Sequence, residues 1–169
     1  AANAIDSTSS GTVKLSGGTF KGVPKVAWLG EGFVGVYDGT VTAVGRTAPE
    51  AYAANLNEKL YYTGEGGADK AFAAAVSGDT ITFCVAPTKT KTLALNATLT
   101  VTLKNGITFD SALIVPANGC LVESTVVSET TTTYTAVVDK EKAQARIGDN
   151  YYVTLGAANV AAKDGDTIT

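Results

Sequence analysis

Residues 71 to 82 read AFAAAVSGDTIT and residues 158 to 169 read ANVAAKDGDTIT, eight identities in 12 positions at a constant offset of 87. A self-match at such a period means that one supersecondary unit is used more than once, which restricts the chain to architectures that grow by repetition. Alanine abundance inflates the agreement, but Gly-Asp-Thr-Ile-Thr does not recur through composition alone. The match continues backwards with small gaps. Leu60-Tyr61-Tyr62-Thr63 answers Asn150-Tyr151-Tyr152-Val153 at an offset of 90, and Val41-Thr42-Ala43-Val44 answers Tyr134-Thr135-Ala136-Val137 at an offset of 93. The drift in offset places insertions and deletions in the connecting loops. The chain therefore divides into the end of one β-module (1–50), a complete central module (51–142) and the start of a further module (143–169), which can pack together as one compact unit.

Each copy reads as a strand, a Tyr-Tyr strand, a short helix, a turn and a strand. Alanines with Phe72 and Val76 four apart predict a weakly amphipathic helix of two to three turns, stopped by Ser77-Gly78. The second helix, Leu155 to Lys163, contains Gly156 and Asn159 and is intrinsically poorer. After each Gly-Asp turn the chain alternates with period two, as in Thr80-Ile81-Thr82-Phe83, threonine outward and apolar inward. Thr98 to Leu103 is the cleanest such strand, closed by Lys104-Asn105-Gly106. Phe33 to Tyr37 and Thr40 to Val44 flank Asp38-Gly39, a hairpin signal. With 26 Ala, 25 Thr, 18 Val and 18 Gly in 169 residues, the fold class is mainly β. The modules are either β-helix or solenoid-like or β-sandwich-like, with two short Ala-rich helices.

Histidine is absent, which removes Ser-His triads and His-built zinc sites. Thirteen Lys and Arg against 16 Asp and Glu give a net charge of −3, without the clustered cations that nucleic-acid binding requires. No run approaches the ~18 apolar residues of a membrane span, so membrane insertion is not expected. Ala1-Ala2-Asn3-Ala4 carries no signal-peptide pattern, so an exported protein is represented here by its mature or excised form. Cys84 and Cys120, 36 residues apart, have neither metal nor redox spacing. They are buried free thiols, a disulfide if their Cα atoms come within about 7 Å, or a reactive thiol. Asp164-Gly165-Asp166 and Gly64-Glu65-Gly66-Gly67 read as turn and loop, because calcium needs more oxygen ligands and a phosphate loop needs its Gly-Lys-Ser/Thr.

The order Tyr-Tyr, small Ala-rich helix, Gly-Asp-Thr-Ile resembles the opening of right-handed parallel β-helices of the pectate-lyase-like kind. There a short helix covers the open end of the solenoid. Ala145-Arg146-Ile147-Gly148-Asp149-Asn150-Tyr151-Tyr152 with Ala161-Ala162-Lys163-Asp164-Gly165-Asp166-Thr167-Ile168, and Val13-Lys14-Leu15-Ser16-Gly17-Gly18-Thr19-Phe20, is similar to the tandem β-rich modules of large cell-surface proteins of Gram-positive gut bacteria. The likeness covers about half the chain and its motifs are structural. It implies an extracellular, cell-surface location and a repeat architecture, and it carries over no catalytic residue.

No catalytic, cofactor-binding or metal-ligating set emerges from the residues. Trp28, Tyr61, Tyr62, Tyr151 and Tyr152 are the candidates for stacking on a ligand, since strand alternation turns one tyrosine of each pair outward. The expected function is a non-catalytic structural or adhesive module. Its partners are other copies of itself, in head-to-tail filaments joined through Thr167–Thr169 and Ala4–Leu15, or a host or matrix protein or glycan. The alternatives are a virion decoration or fibre protein and a carbohydrate-binding or carbohydrate-cleaving β-helix.

Overall fold

Alternating threonine and apolar residues give this chain strands with one greasy and one hydroxylated side, and short Gly or Asn turns join them. The computed structural model describes residues 13–169. It contains strands β1 (Gly18–Lys21), β2 (Val34–Tyr37), β3 (Val41–Gly45), β4 (Ala54–Leu56), β5 (Leu60–Tyr62), β6 (Thr80–Phe83), β7 (Lys91–Leu93) and β8 (Thr98–Leu103). Strands β9 (Ile114–Pro116), β10 (Cys120–Ser128), β11 (Thr131–Val138), β12 (Ala145–Ile147) and β13 (Asn150–Tyr152) follow. The helices are α1 (Gly67–Ala74) and α2 (Leu155–Ala161), with 3-10 turns at Val26–Trp28 and Ser111–Leu113. Among the described residues no helix is long and apolar enough to cross a membrane.

Nine strands form one open sheet in the order β1-β3-β2-β5-β4-β6-β8-β11-β10; β7-β9 and β12-β13 are separate pairs. Only β2–β5 and β6–β8 are parallel in the large sheet. The fold is thus mainly β with open sheets. A β-helix is not shown by these pairings: β2–β5, β6–β8 and β7–β9 run parallel, but the other seven pairings are antiparallel.

The core lies against one face of the sheet. Leu56, Leu60, Ile81, Phe83, Leu99 and Val101 are buried there, each contributing about 1.5–3 kcal/mol of transfer free energy. Phe72 of α1 and Phe109 of the β8–β9 connection close over them, with Phe72 edge-on to both Phe83 and Phe109 at 5.7 and 5.8 Å. Val76 was expected on the helix; it lies beyond the C-terminal end of α1 and is 65% exposed. The opposite sheet face carries a threonine ladder in which the Thr100 and Thr133 hydroxyls meet at 3.0 Å and those of Thr102 and Thr131 at 3.2 Å.

The internal repeat reappears in three dimensions. Leu56 faces Ile81 in the β4–β6 ladder, and Ile147 faces Ile168 in an antiparallel bridge. The Asp79 carboxylate accepts from Val76 N–H and the Asp166 carboxylate accepts from Lys163 N–H, both at 2.8 Å. Gly78 and Gly165 turn with φ of +89° and +87°, values that favour glycine. The correspondence extends further upstream. Leu15 bridges Leu29 in parallel just after the Val26–Trp28 turn, as β7 pairs β9 after the Ser111–Leu113 turn. Hairpins β2–β3 and β10–β11 then follow in turn.

The inward faces of β3 and β11 do not follow the sequence alignment. At an offset of 93, Thr42 and Val44 align with Thr135 and Val137. The inward residues are instead Thr42 and Val44 on β3 and Tyr134 and Ala136 on β11. The aligned faces are opposed, and a one-residue change of register restores them. Of the Ala4–Leu15 segment expected to join neighbouring copies, residues 4–12 lie outside the described residues.

Candidate functional site

The β4–β5 hairpin decides where the first tyrosine pair goes. Asn57 and Glu58 close it with positive φ, and the Asn55 side-chain oxygen accepts from Glu58 N–H at 3.0 Å. Alternation then sends Tyr61 and Tyr62 to opposite faces, yet both are covered, with exposures of 8% and 0%. The expected outward ring is absent here, for a packing reason. Tyr52 stands edge-on to Tyr61 at 5.0 Å and Lys104 donates to the Tyr52 hydroxyl at 3.3 Å, so the polar face has a local lid.

The second pair, Tyr151 and Tyr152, is half-buried. Lys140 and Arg146 lie 5.4 and 6.0 Å from the Tyr151 ring centre, at cation–π distances. Trp28 sits in a 3-10 turn, half-buried, with the Lys25 ammonium 5.5 Å from its ring. The structure does not gather the five aromatics into one site. Cys84 is half-buried and Cys120 buried, and both are free thiols.

Two concavities stand out. The first, about 640 Å³, is lined by Val23–Ala27 before β2, by Leu56, Asn57, Leu60 and Tyr62 of the β4–β5 hairpin, and by Ala74, Val76 and Asp79 around the end of α1. Its walls are mainly apolar, and Tyr62 brings to it a buried hydroxyl with no hydrogen-bond partner. Burial, then the Tyr37 and Asp79 charges, push the Tyr62 phenol well above its ordinary pKa, so it is a neutral donor at any physiological pH. Asp79 is already engaged, accepting from the Asn57 amide at 2.7 Å and Val76 N–H at 2.8 Å. This cavity can hold an apolar group. Strand alternation, which turns one tyrosine of a pair outward, carries no signal for this cavity, because Tyr62 faces the core with its hydroxyl buried.

The second concavity, about 780 Å³, lies between hairpin β10–β11 and the β12–β13 hairpin, lined by Leu121, Glu123, Val137–Glu141 and Asp149–Tyr151. Two other carboxylates, Asp38 and Asp139, hold turns. Thr40 and Val41 N–H groups bond Asp38 and hold it below its usual pKa. Asp139 is held below its usual pKa by Lys142 at 2.8 Å, together with the Glu141 N–H. No group of three or more Cys, Asp or Glu with metal-binding geometry occurs among the described residues.

Compared with known proteins, the chain matches no family model, no curated protein and no solved structure.

Proposed function

We propose that this chain is a non-catalytic structural and adhesive module of an extracellular, surface-exposed repeat protein, whose task is to extend a β-sheet from one copy of the repeat to the next. The observation that carries the reading is the difference in burial between the two copies. Elements β12, β13, α2 and Ile168 repeat the turns and pairings of β4, β5, α1 and β6. Ile81 is nonetheless completely buried, whereas Ile168 is half-buried, and Leu155, which takes the place of the buried Ala68, is 59% exposed. Exposed apolar residues on a correctly folded unit are what a unit presents when its neighbours in the sheet are missing. The resemblance to tandem bacterial surface modules supports the location, and the threonine-lined outer face offers hydroxyls to a host or matrix glycan or protein.

Sedimentation velocity over a wide concentration range, with negative-stain imaging of the same samples, tests this. Linear oligomers that lengthen with concentration are expected, and a monomer at every concentration overturns it. The 640 Å³ cavity with the unpaired Tyr62 hydroxyl favours a second reading, a binding module for a small ligand or sugar. Glycan-array binding lost in Tyr62→Phe would support that reading.

A further inference from the structure

We infer that the outer edge of β1, unpaired among the described residues, is the acceptor for residues Thr167–Thr169 of a second copy of this chain, added in parallel so that one sheet continues into the next. This rests on the sheet-extending role proposed above.

The succession β1-β3-β2-β5-β4-β6 is followed directly by β8-β11-β10. By their hairpin context and partners, β8, β11 and β10 are the second use of β1, β3 and β2. The next strands of the second use are β13, β12 and the segment at Ile168. They are paired with one another in that order, Ala145 to Tyr152 and Ile147 to Ile168. The junction where one cycle passes to the next is therefore visible once, inside the chain, as the parallel pair β6–β8. Thr80 faces Thr100 and Ile81 faces Val101 there, with Gly78 N–H on Thr98 C=O at 2.9 Å and Thr100 N–H on Asp79 C=O at 3.0 Å.

Among the described residues, both halves of an identical junction are left unpaired elsewhere. In β1, Gly22 N–H bonds Thr40 C=O, so the antiparallel alternation commits positions 18, 20 and 22 to β3 and turns the N–H and C=O of Thr19 and Lys21 to the free edge. In β8, Leu103 N–H bonds Thr130 C=O, which likewise leaves Thr98 and Thr100 for β6. Phe20 packs against the core as Leu99 does, so Thr19 and Lys21 occupy the places of Thr98 and Thr100. On the other half, Thr169 exchanges both backbone bonds with Arg146, at 2.7 and 2.9 Å. The far edge of Thr167–Thr169 carries no backbone bond among the described residues.

Copying the register puts Thr167 opposite Lys21, with Gly165 N–H donating to Thr19 C=O and Lys21 N–H donating to Asp166 C=O. The β10 edge is the less suitable acceptor, because its ladder is bulged between Val126 and Ser128 and bulges blunt edge pairing.

The test uses the full chain with Cys84→Ala and Cys120→Ala, adding Lys21→Cys and Thr167→Cys together. Under mild oxidation a ladder of disulfide-linked dimers, trimers and longer species is expected on a non-reducing gel. Lys21→Cys with Ile168→Cys, whose side chains leave opposite faces, should give no ladder. Separately, Lys21→Pro deletes the edge donor and is expected to weaken self-association about tenfold, with the circular dichroism spectrum unchanged. Wild-type assembly that persists in Lys21→Pro, with no ladder from the Lys21/Thr167 pair, overturns this interface and leaves the sheet-extending role standing. A wild-type chain that never assembles overturns both.

Discussion

Ile168 faces Ile147 across an antiparallel bridge, flanked by a reciprocal pair of backbone bonds between Arg146 and Thr169. Leu56 and Ile81 stand in the same relation in the central copy, but there both side chains are sealed in the core, at 2% and 0% exposure. Identical local geometry is therefore held at two very different levels of burial. Since local stability follows buried apolar contact, the two copies should separate in hydrogen exchange. The amides of β4–β6 should exchange only by global unfolding, whereas those of β12, β13 and α2 exchange through local opening, orders of magnitude faster. Under assembling conditions the protection of the second set should rise.

The paired aspartates give a second contrast. Asp79 accepts from Val76 N–H and from the Asn57 amide, while Asp166 accepts from Lys163 N–H, and glycine 148 stands where the first copy has Asn57. Asp79→Ala should therefore cost about 1–2 kcal/mol in urea unfolding, because it frees a turn N–H and an amide that ties β4–β5 to β6. Asp166→Ala should leave the global midpoint within ~0.5 kcal/mol and increase exchange only at Lys163–Thr169.

Local signals were legible in the sequence wherever one residue type has one physical use. Thr98–Leu103 alternated, Asp38-Gly39 closed a hairpin, and Gly78 and Gly165 turned with positive φ. The two helices were likewise placed from their alanines, although α1 ends before Val76. Sheet order was not legible. Nothing in a period-two pattern says that β2 pairs in parallel with β5, or that β3 and β11 match out of register with their faces. Nor could alternation alone predict that Tyr52 and Lys104 cover Tyr61 on the polar face. That cover depends on residues 52 positions apart closing over a third, and it is why the outward tyrosine of the first pair is missing.

Gly119 tests how the second hairpin is seated. It holds φ of +76°, and a Cβ there would lie 2.6 Å from Val153 Cγ1. Gly119→Ala should cost about 1–3 kcal/mol, combining left-handed strain with a clash against the residue that follows β13. Adding Val153→Ala should recover the steric share only. A full recovery in the double variant would mean the backbone strain at Gly119 is negligible.

Tyr62 makes opposite demands of its ring and its hydroxyl. The ring is completely buried, edge-on to Tyr37 at 5.7 Å, so Tyr62→Ala should cost about 3–5 kcal/mol. The hydroxyl is buried without a partner, so Tyr62→Phe should be neutral or stabilise by about 1 kcal/mol. A destabilised Tyr62→Phe would mean that the hydroxyl is bonded in solution, by water or by a ligand in the 640 Å³ cavity. Alkali supplies an independent measurement. Burial raises the phenols of Tyr62, Tyr61 and Tyr134 above their ordinary value of 10.0. In the unfolded chain they ionise at that ordinary value, so the folded state binds their protons more tightly. Their contribution is complete below pH ~10 and declines as pH rises towards the folded-state values. Wild-type stability should therefore fall steeply above pH ~10. Tyr62→Phe, which keeps the ring and removes the proton, should flatten that decline while leaving the acid limb unchanged.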